Sequence, residues 1–220
     1  SKNHNKERNI LMEIIITNLT KKLSGRTILS NISLTIPKGQ VTGIAGVNGS
    51  GKSVLLKCIA GLMPYNNGEI KVGDQVIGKD IEHPHHTGVL IETPQFIGEF
   101  SGKENLQFLA AIQHLIGEKE IQAVLETVDL VAAQNDKFKR YSLGMKQRLG
   151  IAQAIMENQT LLLLDEPTNA LDEKGIHIIT DIIKKGKIEG KTIIVTSHDR
   201  DFLDDVSDIQ YRLYEGVLEQ

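Results

Sequence analysis

At 220 residues the chain is long enough to bury a sizeable core in one large domain. A formal net charge of −3, with a pI near 6.2, gives no basic excess to point to nucleic acid. A single cysteine, Cys58, excludes an intramolecular disulfide and fits a reducing compartment, where it reads as a packed core thiol. No apolar run reaches the roughly 18–20 residues of a membrane span. The polar start of the chain has no signal-peptide core, so any membrane crossing is expected from another polypeptide.

Residues 1–12 read as a disordered tail, since Ser1 to Asn9 are polar and without periodicity. The folded domain is expected over 13–220. Glu13 to Asn18 carries three successive isoleucines and predicts a strand, Ser24-Gly25 a turn, and Asn31 to Ile36 a half-buried strand closed by Pro37. Val41 to Ala45 is strand-like, and Val54 to Leu62 is an apolar helical run. Short strands at Glu69 to Val72 and Gln75 to Ile77 predict an antiparallel β subdomain. From Gly102 to Val131 the apolar spacing turns helical, and Ser142 opens a further helix to about Glu157. The pattern predicts a helical insertion, about residues 95–158. Thr160 to Leu164 is the continuous apolar run of a central parallel strand. A helix (Glu173 to Ile188), a strand (Thr192 to Thr196), a helix (Asp201 to Val206) and a strand pair around Gly216 complete the order. The fold class is therefore α/β, a helix-covered parallel sheet with a β subdomain and an inserted helical subdomain.

Two stretches carry chemistry. Gly46-Val47-Asn48-Gly49-Ser50-Gly51-Lys52-Ser53 fits the P-loop pattern G-x-x-x-x-G-K-[ST], between a predicted strand and the helix that Val54 opens. Gly46, Gly49 and Gly51 are expected to take positive φ and to let the backbone approach a phosphate. The N–H groups at the helix start form an anion site. Lys52 is expected to reach the β- and γ-phosphates of a nucleotide and Ser53 to ligate Mg²⁺. The second stretch, Leu161 to Glu166, delivers carboxylates at the C-terminal end of a buried strand, where α/β folds put their ligands. Asp165 is expected in the Mg²⁺ shell, and Glu166 is placed to polarise a water for attack on the γ-phosphate.

Four more stretches make the chain resemble the nucleotide-binding subunit of an ATP-binding-cassette (ABC) transporter from about Ile14 onward. Tyr141-Ser-Leu-Gly-Met-Lys-Gln147 resembles the signature motif, with Met145 where a second glycine is common. Pro167-Thr-Asn-Ala-Leu-Asp172 resembles the D-loop, and Thr196-Ser-His198-Asp199 the switch-histidine motif. Val89-Leu-Ile-Glu92-Thr-Pro94 falls at the Q-loop. The resemblance implies a P-loop ABC ATPase fold and an ATP- and Mg²⁺-dependent ATPase. It also implies a homo- or heterodimer in which Ser142 and Gly144 bind the γ-phosphate held by the partner's P-loop. His198 would contact that phosphate and align Glu166. A transmembrane permease subunit is implied as partner, at the cytoplasmic face of a bacterial plasma membrane.

The chain departs from the pattern twice. Glu92 replaces the Q-loop glutamine; it is expected to ligate Mg²⁺, to add negative charge near the γ-phosphate, and to tune hydrolysis or coupling. Glutamate here resembles the bacitracin-resistance and lantibiotic-immunity exporters, which implies peptide antibiotics as cargo. Leu23 takes the place of the adenine-stacking aromatic, implying modest affinity and weak preference for ATP over GTP. Glu82-His-Pro-His-His86 offers metal donors but no convincing ligand set, and reads as an exposed loop. Phe96, Ile97, Phe100 and Phe108 read either as a groove for the permease's cytoplasmic helix or as the helical subdomain's own core. Two other classes share some motifs. A cassette ATPase acting on DNA or ribosomes would usually add a coiled-coil insertion or a second cassette. A P-loop kinase or switch has no use for Ser142 or His198.

Overall fold

The computed structural model describes residues 13–219, so the tail expected at 1–12 lies outside the described residues. In chain order, β1 (Ile14–Leu23) and β2 (Arg26–Ile36) form a hairpin, and β3 (Val41–Ala45) leads through the glycine-rich loop into α1 (Lys52–Ile59). Strands β4 (Asn67–Val72), β5 (Gln75–Val76) and β6 (Thr87–Leu90) follow, then α2 (Gly102–Gln113), α3 (Glu118–Thr127) and α4 (Leu143–Ile155). The chain closes with β7 (Leu161–Asp165), α5 (Glu173–Ile188), β8 (Thr192–Ser197), α6 (Arg200–Val206), β9 (Ile209–Tyr214) and β10 (Val217–Glu219).

The strands form two sheets. A four-stranded antiparallel sheet has the order β2-β1-β4-β5, and a six-stranded sheet the order β10-β9-β3-β8-β7-β6. In the larger sheet every neighbouring pair is parallel except β10 with β9. Its central strands are apolar throughout because both faces are covered. On β7, Leu161 and Leu163 enter one core cluster while Leu162 and Leu164 enter the other; on β8, Ile194 parts from Ile193 and Val195 in the same way. The two-residue period of a strand deals its side chains alternately to the two cores.

One core lies between the sheets and is filled by α1 through Leu55, Leu56, Cys58 and Ile59. Cys58 is fully buried there, and desolvation pushes its thiol up to about 11, which makes it a packing residue. The other core joins the larger sheet to α2–α6. Capping fixes the helix starts: Ser101 and Glu104 form a reciprocal capping box on α2, and Asp172 and Asp199 cap α5 and α6. The turn between β9 and β10 docks on the front of the molecule. Gly216 N–H donates to the Ser50 carbonyl at 3.0 Å, and Ser30 N–H donates to the Gly216 carbonyl at 2.8 Å.

Several boundaries differ from the sequence reading. The first two strands are longer than predicted, because their register shifts at bulges interrupt the alternation. The helical stretch 102–131 is two helices; His114 ends the first in a left-handed cap. Strand β6 was not predicted, being four residues long with Gly88 inside it. That glycine is required by α4: a Cβ there would lie 1.8 Å from the Ala154 carbonyl oxygen. Gly88→Ala is therefore expected to lose about 1–3 kcal/mol, the usual cost of overpacking. A urea midpoint unchanged from wild type would contradict this close approach.

Candidate active site

The site is built where β3, β7 and β8 end together. Register pairs Ala45 with Ser197 and Asp165 with Thr196, so the loop after β3 meets the acids after β7 along one sheet edge. In that loop Gly49 and Gly51 have φ of 81° and 107°, as the phosphate-binding reading requires. Gly46 corrects the expectation, because its φ is not left-handed. Its requirement is space: a Cβ would lie 2.5 Å from Ser50 Oγ and 2.6 Å from the Leu213 carbonyl oxygen.

Helix α1 differs from its neighbours at its start. It has no side-chain cap and no acidic residue in its first turn. Leu55 is the first α1 residue whose N–H finds a backbone acceptor, the Gly51 carbonyl at 2.9 Å. The amides of Lys52, Ser53 and Val54 have no acceptor among the described residues. Three aligned donors at the positive end of a helix form an anion cradle.

Facing the cradle is a buried acidic pair. Asp165 accepts from Ser53 Oγ on Oδ2 at 2.5 Å and from Thr196 Oγ1 on Oδ1 at 2.6 Å. Glu166 has a left-handed φ of 45°, which turns its side chain out of the strand line. Its N–H donates to both the carbonyl and the hydroxyl of Thr196, each at 3.1 Å. His198 Nδ1 donates to Glu166 Oε2 at 2.8 Å, and its Nε2 has no partner among the described residues. Lys52 donates to the carbonyls of Gly46 and Val47 at 2.6 and 3.1 Å. Its Nζ also forms an ion pair with Glu166 Oε1 at 3.0 Å, without an aligned hydrogen bond to that oxygen among the described residues. Three amides without acceptors among the described residues, beside a lysine held only by loop carbonyls and one carboxylate oxygen, mark a site shaped for something further. The donors facing Ser53 are oxygens only, a set that suits a hard divalent cation such as Mg²⁺.

Sequence reasoning gave no role to Thr196 or Gln147. Thr196 ties the two acids together, and Gln147 Nε2 donates to the carbonyls of Glu166 and Pro167 at 3.3 and 3.2 Å. Both lie inside recognised motifs, but only the folded packing reveals what they hold.

The remaining expected residues are placed apart. Ser142 caps α4, accepting from Met145 N–H at 3.2 Å, and neither it nor Gly144 is bonded to the Gly46–Val54 loop. Gly144 lets α4 approach the segment before α5: a Cβ would lie 2.9 Å from the Ala170 carbonyl oxygen. Leu23 is half exposed at the tip of the β1–β2 hairpin, whose Ile28 and Leu29 pack against Gly51. Glu92 is not brought to Ser53 or Asp165; its carboxylate pairs with Lys57 of α1 at 2.5 Å. Its expected place in the metal shell is thus unfilled in this conformation, because a cation four residues beyond Ser53 holds it. Of the four apolar candidates, Phe96 packs edge-on against Phe138, centroids 5.1 Å apart, beside the helical core. Ile97, Phe100 and Phe108 are exposed, so these four divide between the two readings. In the Glu82–His86 loop His83 Nδ1 lies 3.1 Å from the Ala60 carbonyl oxygen.

Comparison with known proteins adds independent support. Residues 29–169 match the family described as ABC transporter. An uncharacterised ABC transporter ATP-binding protein of Bacillus subtilis, YybJ, is 41% identical over 94% of this chain and 94% of its own length. The lantibiotic transport ATP-binding protein SrtF of Streptococcus pyogenes is 37% identical over 92% of this chain and 87% of its own. The bacitracin transport ATP-binding protein BcrA of Enterococcus faecalis is 37% identical over 95% and 69%. Among solved structures, the ATP-binding cassette MJ0796, in a dimeric post-hydrolysis state bound to ADP and Pi, superposes with a TM-score of 0.84 at 25% identity. That superposition covers 94% of this chain and 97% of the other. With this fold, this loop and this acidic pair, the chain belongs to the ABC transporter family as an ATP-binding subunit that hydrolyses ATP.

Proposed function

We propose that two such subunits close head to tail over two ATP molecules, and that closure and hydrolysis drive a separate membrane permease that exports peptide antibiotics. The observation that carries the hydrolytic part is the uncapped start of α1 facing the buried Asp165–Glu166 pair. The free amides of Lys52, Ser53 and Val54, with the loop Gly46–Gly51, hold the phosphates, and Lys52 leaves its loop carbonyls to reach the β- and γ-phosphates. Ser53 and Asp165 would hold Mg²⁺, which when bound offsets the charge on the phosphate oxygens.

Glu166 is the general base. Transfer of Lys52 to the phosphates frees Oε1 to take a proton from water as that water attacks the γ-phosphorus and ADP departs. His198 keeps Glu166 in place through Nδ1. Thr196 holds both acids in register. The exposed Ser142, with Leu143 69% exposed beside it, is suited to a phosphate on the partner's loop. The existence of dimeric relatives supports this arrangement.

No helix among the described residues is long and apolar enough to cross a membrane. The proposed arrangement places this subunit at the cytoplasmic face of the membrane against a permease partner, as suits an ABC transporter ATP-binding subunit. The apolar surface around α2 supports a permease contact: Ile97, Phe100, Phe108 and Ile112 are exposed there. Peptide antibiotics are proposed as cargo because relatives named for bacitracin and lantibiotic transport align along nearly all of this chain.

Glu166→Gln is expected to bind ATP, to lose at least about 100-fold in hydrolysis and to run as an ATP-dependent dimer. A variant that hydrolyses ATP normally would remove Glu166 from the mechanism. Thr196→Val leaves one Asp165 oxygen without its donor and is expected to lose about 1–3 kcal/mol of stability and to raise the Mg²⁺ requirement, with Thr196→Ser close to wild type. Urea titration and Mg²⁺ dependence of the ATPase check both halves. With Leu23 supplying no aromatic face, GTP should compete for the site nearly as well as ATP; a GTP affinity far below that of ATP would contradict this reading.

A further inference from the structure

Helix α4 reaches the acidic pair through Gln147. Gly144 and Gln147 are an i, i+3 pair and so share one face of that helix. Both meet the segment that follows β7. At Gly144 the chain comes close enough that a Cβ would lie 2.9 Å from the Ala170 carbonyl oxygen. At Gln147, which is buried, Nε2 donates to the Glu166 carbonyl at 3.3 Å and to the Pro167 carbonyl at 3.2 Å. The Pro167 carbonyl has no other donor among the described residues. The Glu166 carbonyl also accepts from Asn169 N–H at 3.1 Å, which closes a tight turn over Glu166–Asn169. Two non-glycine residues in the left-handed region bracket that turn, Glu166 at φ 45° and Ala170 at φ 62°. Such a backbone persists only where its surroundings hold it.

We propose that Gln147 is a positioning residue for Glu166, holding its backbone in the left-handed conformation that turns the carboxylate towards Lys52 and His198. Peptide units are planar, so a hydrogen bond to either end of one fixes the orientation of the whole unit. Thr196 fixes the unit before Glu166, by accepting its N–H on both the carbonyl and the hydroxyl. Gln147 fixes the unit after it, by donating to the carbonyl. Both backbone angles of Glu166 are then constrained, and with them the direction in which its side chain leaves the chain. A general base acts only within hydrogen-bond reach of the proton it takes. Loss of the amide donor leaves the Pro167 carbonyl unpaired and lets the turn relax away from the left-handed region.

This role rests on the assignment of Glu166 as the base, so its test is run with Glu166 present and with Glu166→Gln. Release of labelled phosphate from ATP gives kcat, and a fluorescent ATP analogue gives nucleotide affinity. Gln147→Met keeps the side chain's length without its donor, and Gln147→His keeps an N–H at similar reach. Gln147→Met is expected to lower kcat about 10–100-fold, the cost of a misplaced reacting group, with nucleotide affinity unchanged. Gln147→His should return kcat to within about fivefold of the unmutated chain. In the Glu166→Gln background no base remains to be positioned, so Gln147→Met should slow the residual hydrolysis no further. Gln147→Leu serves as a second variant, and thermal melting confirms that each protein is folded. Unchanged kcat in both Gln147→Met and Gln147→Leu, a loss confined to nucleotide affinity, or an equal loss in both Glu166 backgrounds overturns the proposal. An unmutated chain without ATPase activity, or Glu166→Gln hydrolysing ATP at the same rate as Glu166, overturns the assignment of the base itself. Those two results are read before Gln147 is changed.

Discussion

Three backbone amides without acceptors among the described residues set the terms for the rest of the molecule. An uncapped helix start is unfavourable on its own, since each orphaned donor forgoes a hydrogen bond. Here it is held by everything around it. Helix α1 is clamped between two sheets by Leu55, Leu56 and Ile59, all fully buried. Gly51 packs against the β1–β2 hairpin, and the β9–β10 turn ties down Ser50. The other helices place Ser or Asp at the same position or close the turn with a glutamate; α1 leaves it open for an anion from outside.

The acidic side of the site is kept balanced against that positive end. Two buried carboxylates at one strand end would repel each other and be costly to desolvate. Asp165 is satisfied by two hydroxyls, and Glu166 by His198 with Lys52 near its second oxygen. Lys52 thus has two possible engagements, its own loop and carboxylate in this conformation and phosphate oxygens in the other. In the proposed mechanism, phosphate oxygens would replace the loop carbonyls and the Glu166 carboxylate as partners of Lys52, while His198 keeps hold of Glu166 Oε2.

Much of this was legible from the chain because the informative residues are contiguous. Gly46 to Ser53 and Leu161 to Glu166 each carry their own geometric requirement, and the continuous apolar run in β7 declares a strand covered on both faces. What escaped was set by contacts distant in sequence. Strand β6 looks too short and too glycine-rich to be a strand until α4 is laid across Gly88. Thr196 and Gln147 look like motif filler until β8 and α4 bring them to Glu166. The role of Gly46 was read as backbone freedom when it is the nearness of Ser50 and Leu213 that excludes a side chain. Glu92 was read as a lone charge because Lys57 has no sequence signature linking it to that loop.

The bond from Gly216 to Ser50 joins the last hairpin of the described chain to the loop near its beginning. Strand β9 also lies directly beside β3, so the loop has its final neighbour only once the C-terminal strands are in place. Pairing elements this far apart in sequence is a late and slow event in folding. A chain emerging from the ribosome therefore completes the surroundings of its phosphate cradle only after β9 and β10 have been synthesised. The loop that opens α1 is in this sense finished by strands made more than 150 residues later, which ties the shape of the cradle to pairing at the far edge of the sheet.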